Sequence, residues 1–334
     1  MNVAWFEALT GFSEQDYKST QRQLTAKGEK LYCQPHGKEY HFGRLLTPTL
    51  GQLRSQTQDL INQEQPLEVA EIVDDVGQLH QNPDNAQAVF QVASQFNLLE
   101  MVSPSVSPLD GVTDYQFDRT QGPVCAMACG AGTLYRNYLV DIEGQTGQTD
   151  QKQLDMLDAF ANALNNDQHQ YWRMQNGYLM PIGNGLERLN DHLQSLSATE
   201  MASLKGRIKV GIQEDTQVTQ GDCTHRVSQV YCSALPMAYH EHSHQAWQLF
   251  ANIVLEAAYE ATLHYGLLQK QRTGNRTVYL TLLGGGAFGN PKAWILAALN
   301  QALSQFRASG LDVRLVSYGQ SEASVTESLS ERFR

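Results

Sequence analysis

The chain has 334 residues, with 24 Lys and Arg against 35 Asp and Glu, and a formal net charge of −11. Hydrophobic residues make up 41% and charged residues 18%, enough apolar material for a sizeable core and too little charge for a disordered chain. A mean hydropathy of −0.40, with no apolar run approaching about 18 residues, excludes a transmembrane helix. The acidic balance argues against nucleic-acid polymers and anionic membrane surfaces as partners. No basic segment followed by an apolar stretch opens the chain, so no signal peptide is expected. The five cysteines, Cys33, Cys125, Cys129, Cys223 and Cys232, are odd in number and share no tight spacing. They predict reduced thiols in a cytoplasmic protein, with Cys125 and Cys129 read as buried structural thiols.

Residues 1–65 are polar and irregular and read as an N-terminal extension, with a surface helix over 52–65. Residues 67–79 have roughly helical apolar spacing, ended by Gln81-Asn82-Pro83. Residues 86–92 predict a buried strand, and 102–114 a long loop of the kind that often carries function. Residues 123–140 predict a helix whose start tolerates Pro123 and whose middle is weakened by Gly130 and Gly132. Residues 151–170 predict a helix, and 141–205 a helical insertion. Strands are expected at 208–212, 227–234, 278–283 and 312–318. Helices are expected over 246–268, ending near Gly266, and over 291–308. Strands alternating with helices imply an α/β fold with a mixed sheet.

The most informative stretch is Gly284-Gly285-Gly286-Ala287-Phe288-Gly289-Asn290-Pro291, between a buried strand and a helix. Glycines bring backbone N–H groups close to a ligand, and the helix start adds its positive end. Together these suit a phosphate or diphosphate. Neither the Walker A nor the dinucleotide glycine spacing is present. A tight connection without a ligand is the alternative. A second small-residue run, Cys129-Gly130-Ala131-Gly132-Thr133, precedes Tyr135-Arg136-Asn137-Tyr138.

With the strand that runs into Ser94-Gln95-Phe96-Asn97, these two loops resemble the macrodomain, the ADP-ribose-binding module. Gly286-Ala287-Phe288-Gly289-Asn290-Pro291 matches the family's second loop in full. The first loop reads Gly-Ala-Gly-Thr, and Val92-Ala93-Ser94-Gln95 lacks the first Asn of the family's Asn-Ala-Ala-Asn element. The resemblance spans about residues 67–320. It implies a three-layer α/β/α mixed sheet over 66–334, with the N-terminal extension and the helical insertion added. It implies ADP-ribose or an ADP-ribosylated protein as partner, no cofactor, and a possible hydrolase of ADP-ribosyl bonds. The alternatives are a non-catalytic reader of ADP-ribose and a structural protein that has lost the ligand.

By this resemblance Gly130, Ala131, Gly132 and Thr133 lie on one side of the diphosphate, with Arg136 either clamping a phosphate or pairing with an acid. Gly285, Gly286, Ala287, Phe288, Gly289 and Asn290 lie on the other. Phe288 or Tyr318 is expected either to pack on a ribose or base or to serve as a core aromatic. Hydrolysis needs a carboxylate or an oriented water. Asn97 is the expected ribose ligand, and Glu100 and Asp118 are the candidate general bases. His240, His242 and His244 alternate, but a solvent-exposed loop is the expected reading and no metal is assigned.

Overall fold

The structure, a computed structural model, describes residues 4–333. The N-terminal stretch forms α1 (Trp5–Thr10), α2 (Tyr17–Arg22) and an antiparallel meander of β1 (Leu24–Lys27), β2 (Lys30–Cys33) and β3 (Lys38–His41). It continues into β4 (Arg44–Leu46) and α3 (Leu50–Thr57), then β5 (Glu68–Val73), α4 (Val76–Gln81) and β6 (Val89–Ala93). A long loop leads to α5 (Gln121–Ala128) and α6 (Gly130–Leu134). Two hairpins follow. The first joins β7 (Asp141–Ile142) to β8 (Gln145–Thr146); the second, beyond α7 (Asp158–Ala163), joins β9 (Trp172–Gln175) to β10 (Tyr178–Pro181). Next come α8 (Gly185–Ser195), α9 (Ala198–Lys205), β11 (Gly211–Gln217), β12 (Arg226–Cys232) and α10 (His244–Thr273). The chain ends with β13 (Thr277–Leu280), α11 (Lys292–Gln305), β14 (Asp312–Ser317) and α12 (Ala323–Phe333).

Seven strands form the main sheet in the order β4-β11-β12-β6-β13-β14-β5. The five from β12 to β5 are parallel, so their carboxyl ends share one edge. β11 and β4 add antiparallel pairs on one side. The chain lays β11 and β12 on one side of β6, then crosses to lay β13 and β14 on the other. β6 is therefore where the winding reverses, and such a point leaves a crevice outside the carboxyl ends of the strands.

Successive strand residues point to opposite faces, and their partners define the layers. Phe90 stacks on His80 of α4 with ring centroids 3.8 Å apart. Its neighbour Gln91 donates to Thr262 of α10 at 3.1 Å. Likewise Tyr231 lies beneath Arg136 on the first face, and Cys232 faces Ala258 and Thr262 of α10 on the second. The result is a three-layer α/β/α arrangement around a mixed sheet.

Residues 1–65 supply β4 to the sheet edge and α3 to the α10 layer, where Arg54 pairs with buried Glu260 at 2.6 Å. A second apolar cluster under the meander joins Phe6, Leu9 and Leu31 to Leu134 and Tyr138.

Several sequence expectations change. Residues 67–79 are not one helix: β5 ends at Val73, and Asp75 caps α4 by accepting the amides of Gly77 and Gln78. The β-branched residues Val69, Ile72 and Val73 fit the pleat of a strand paired with β14. The helix expected over 151–170 shrinks to α7, because Met156 lies in a turn whose N–H and C=O are taken by Phe96 and Lys209. Gly266 does not end α10. It lets that helix approach β13, since a Cβ there would sit 2.7 Å from Val278. Gly274, in the left-handed conformation, ends it instead.

Candidate active site

β6 and β13 pair only through Val89↔Val278 and Phe90↔Tyr279. Beyond these they part, and the carboxamide of Gln121 takes over the free edge of β6. It accepts from Ala93 N–H and donates to Gln91 C=O, both at 2.8 Å. This pins the first turn of α5 against the end of β6. The fit requires Gly122, where a Cβ would lie 2.1 Å from the carbonyl oxygen of Ala93. Thr120 caps α5 without a side-chain hydrogen bond, leaving the first-turn amides of Gln121 and Gly122 available.

A cavity of about 810 Å³ opens here, along the carboxyl edge of the parallel strands. The loop after β13 forms one wall. Tyr259 of α10 holds its start, donating to Thr281 C=O at 2.8 Å and accepting from Leu283 N–H at 3.1 Å. Its far end is tied to the chain leaving β12. There Ala238 N–H donates to Phe288 C=O at 3.1 Å, and Asn290 Nδ2 to Leu235 C=O at 2.9 Å. Gly284 must be glycine: its φ is +75° and a Cβ would lie 2.4 Å from that of Ala234. Between these ties the amides of Gly286, Ala287 and Phe288 make no hydrogen bond among the described residues. All three residues line the cavity. A loop with three unspent amide donors opposite a helix start has the backbone groups that suit an anion.

Glu100 lines the same cavity. It is only 4% exposed, yet neither carboxyl oxygen has a hydrogen-bond partner. Its backbone is fixed by the N–H donating to Tyr115 Oη at 2.9 Å. Burial pushes its carboxyl up to about 8, only partly opposed by the Arg136 charge and the Tyr115 hydroxyl. It is thus a neutral carboxylic acid at pH 7, able to donate a proton. Asp118 also lines the cavity, oriented by Thr120 N–H at 2.8 Å and Thr120 Oγ1 at 2.7 Å. Phe288, Tyr178 and Tyr239 form an aromatic wall, with ring centroids 5.2–6.0 Å apart.

The structure thus brings together Glu100, Asp118, Gly286, Ala287 and Phe288. It does not bring the others to the cavity. Gly130, Ala131, Gly132 and Thr133 form α6, fully buried. A Cβ on Gly130 would meet Leu9 and Trp5, and one on Gly132 would meet Gln213. These small residues serve close packing against β11 and the N-terminal segment. Arg136 is also fully buried, stacked 3.8 Å over Tyr231 and bonded to Leu98 C=O, Gln213 and Thr133. It forms no ion pair among the described residues. Asn97 sits in a packed turn, donating to Gln153 and accepting from Leu99 N–H. Gly285 packs on Ile295 of α11, and Gly289 and Asn290 anchor the loop from behind. Of the three histidines, His240 and His242 lie against Trp247 and His244 against Trp294. No group of three His, Cys, Asp or Glu placed to hold a metal ion occurs among the described residues.

Sequence reasoning missed Tyr178, Tyr239 and the pair Asp74 and Asp75, which line the cavity where β5 ends. The Asp pair had a usable signal: two acids directly after a β-branched run.

Among solved structures the chain is similar to poly(ADP-ribose) glycohydrolase from Deinococcus radiodurans in complex with ADP-ribose. Identity is 10% over 86% of this chain and 94% of that one, with a TM-score of 0.44. It is also similar to poly(ADP-ribose) glycohydrolase from Thermomonospora curvata, at 13% identity over 95% and 96% of the two chains and a TM-score of 0.44. A structure of the latter enzyme with the inhibitor ADP-HPD gives a TM-score of 0.41 at the same identity and coverage. No family model and no curated protein matches the chain.

Proposed function

We propose that the chain is a macrodomain-like hydrolase that binds ADP-ribose in this cavity and cleaves the glycosidic bond at its terminal ribose. The observation that carries this is Glu100: a buried, unpartnered carboxylic acid facing the same space as the free amides of Gly286, Ala287 and Phe288.

The order of the strands supports one orientation of the ligand. Along the sheet edge, β6 precedes Glu100, β13 the glycine loop, β14 Tyr318 and β5 Asp74-Asp75. Strands lie ~4.8 Å apart, so three spacings give about 14 Å, the scale of an extended nucleotide. The diphosphate sits at the centre, on the amides of residues 286–288 and the first turn of α5. The terminal ribose lies at Glu100. The adenosine reaches toward Tyr318, whose ring offers a stacking face, and toward the Asp74-Asp75 carboxylates, which accept from an exocyclic amine.

The chemistry follows from the protonation state. Glu100 gives its proton to the departing oxygen as the ribosyl C–O bond breaks. Its carboxylate then takes a proton from the water that bonds to the ribosyl carbon. Asp118 stabilises the positive charge that develops on the sugar. All five cysteines are free and no helix among the described residues is long and apolar enough to cross a membrane; a reducing, cytoplasmic setting fits both. The test is release of ADP-ribose from a modified protein. Wild-type chain should release it, whereas Glu100→Gln should bind ADP-ribose and release none.

A further inference from the structure

Of the three most exposed large apolar side chains among the described residues, Tyr318 at 83% and Val102 at 65% line the cavity, and Phe117 at 76% directly precedes the lining residue Asp118. Tyr318 belongs to the adenosine side. Val102 lies two residues past Glu100 and lines the cavity. Phe117 directly precedes Asp118 and ends a 3₁₀ turn, Thr113–Phe117. In such a turn residues three apart eclipse, so exposed Asp114 shares the face of Phe117. A solvent-facing phenyl ring beside a catalytic carboxylate marks a contact surface.

The charge on this mouth is one-sided. Beside the neutral Glu100, the acids Asp74, Asp75, Asp118 and Glu322 line the cavity, against a single Arg119 and no lysine. Glu322 alone among these acids has an ion-pair partner, Lys292. The nucleotide's own diphosphate is served by backbone amides at the centre. Whatever continues beyond the terminal ribose leaves past Asp118, which follows directly on the turn that carries Asp114 and Phe117.

Resting on the ADP-ribose reading above, we propose that this side docks a Lys- or Arg-rich protein segment with an apolar side chain near its modified residue. The chain then removes single ADP-ribosyl groups from basic protein segments and does not act on poly(ADP-ribose). In the polymer the next unit would bring a second diphosphate against Asp114 and Asp118, where like charges repel. A basic segment brings the complementary charge, and its apolar side chain covers Phe117 and Val102.

The experiment uses the full chain carrying Glu100→Gln, so that ligands are not consumed. It measures dissociation constants for free ADP-ribose, for poly(ADP-ribose), and for two peptides bearing one ADP-ribosyl serine. One peptide has Arg, Lys and Leu around the serine, and the other has Glu in place of the basic residues. The basic peptide should bind about tenfold more tightly than the acidic one and than the polymer per terminal unit, and the gap should close as salt rises. Adding Asp114→Lys and Phe117→Ser should erase the preference while free ADP-ribose binds as before. Equal affinities for the two peptides, or polymer bound as well as the basic peptide, would overturn this inference alone. No binding of free ADP-ribose would overturn the reading of the site and this inference with it.

Discussion

In the proposed mechanism Glu100 concentrates both the activity and its cost. With its carboxyl pushed up to about 8 by burial, the acid form needed to protonate the leaving group persists at neutral pH and is lost above it. The kcat/KM profile should therefore fall on the alkaline side with an apparent midpoint near 8. A flat profile through that range would remove Glu100 as the acid. The same shift sets a stability slope. The folded state keeps the proton between about 4.5 and about 8, whereas the unfolded chain releases it, so stability falls as pH rises through that window. Glu100→Gln lacks this loss and should melt higher than wild type at pH 8, by roughly 3–5 kcal/mol of added stability. The two proteins should converge below pH 4.5. Glu100 was legible in the sequence only as an acid downstream of a strand. Its burial without a geometric hydrogen-bond partner for either carboxyl oxygen arises from the packing of Tyr115, Gly122 and the loop around it. Arg136 shows the converse: its charge suggested either a phosphate or an acid partner, but its guanidinium is spent on Leu98, Gln213 and Tyr231.

The element to which the proposal assigns recognition is the loop from Gly284 to Asn290, and its glycines differ in kind. A Cβ on Gly286 meets nothing within 4 Å, so Gly286→Val should leave the melting temperature unchanged. It should block approach to the amides and weaken ADP-ribose about tenfold or more. Gly284→Ala forces a side chain into a positive-φ position against Ala234 and should lower stability by about 1–3 kcal/mol. Comparing the melting curves and titrations of both variants separates the two roles. If Gly286→Val binds normally, the loop amides are not the anion site. This loop was legible because strand, glycines and helix follow one another in sequence. Its opposite wall was not. The amides of α5 face the cavity only because Gln121 replaces a strand partner of β6, a long-range substitution with no local pattern. The β9–β10 hairpin was overlooked although Asn176-Gly177, with φ of 48° and 77°, is a strong two-residue turn signal. That hairpin delivers Tyr178 to the aromatic wall.

For the whole molecule, a charge of −11 and a cavity without lysine mean that the proposed ligand would be held by geometry and not by net charge. ADP-ribose affinity should change little between low and physiological salt. A steep fall would point to exposed basic side chains in place of backbone amides. The alternation of strands and helices made the mixed α/β sheet legible, whereas the order of its strands emerges only from tertiary pairing. The same holds for residues 1–65, whose polar sequence hid β4 at the sheet edge and α3 against α10. The central claim, that the cavity at the carboxyl edge of the parallel strands is an ADP-ribose site, is tested most directly by calorimetric titration of the full chain with ADP-ribose. Saturable one-to-one binding that is lost in Gly286→Val at unchanged melting temperature is the predicted result. No heat at high micromolar ligand would contradict it.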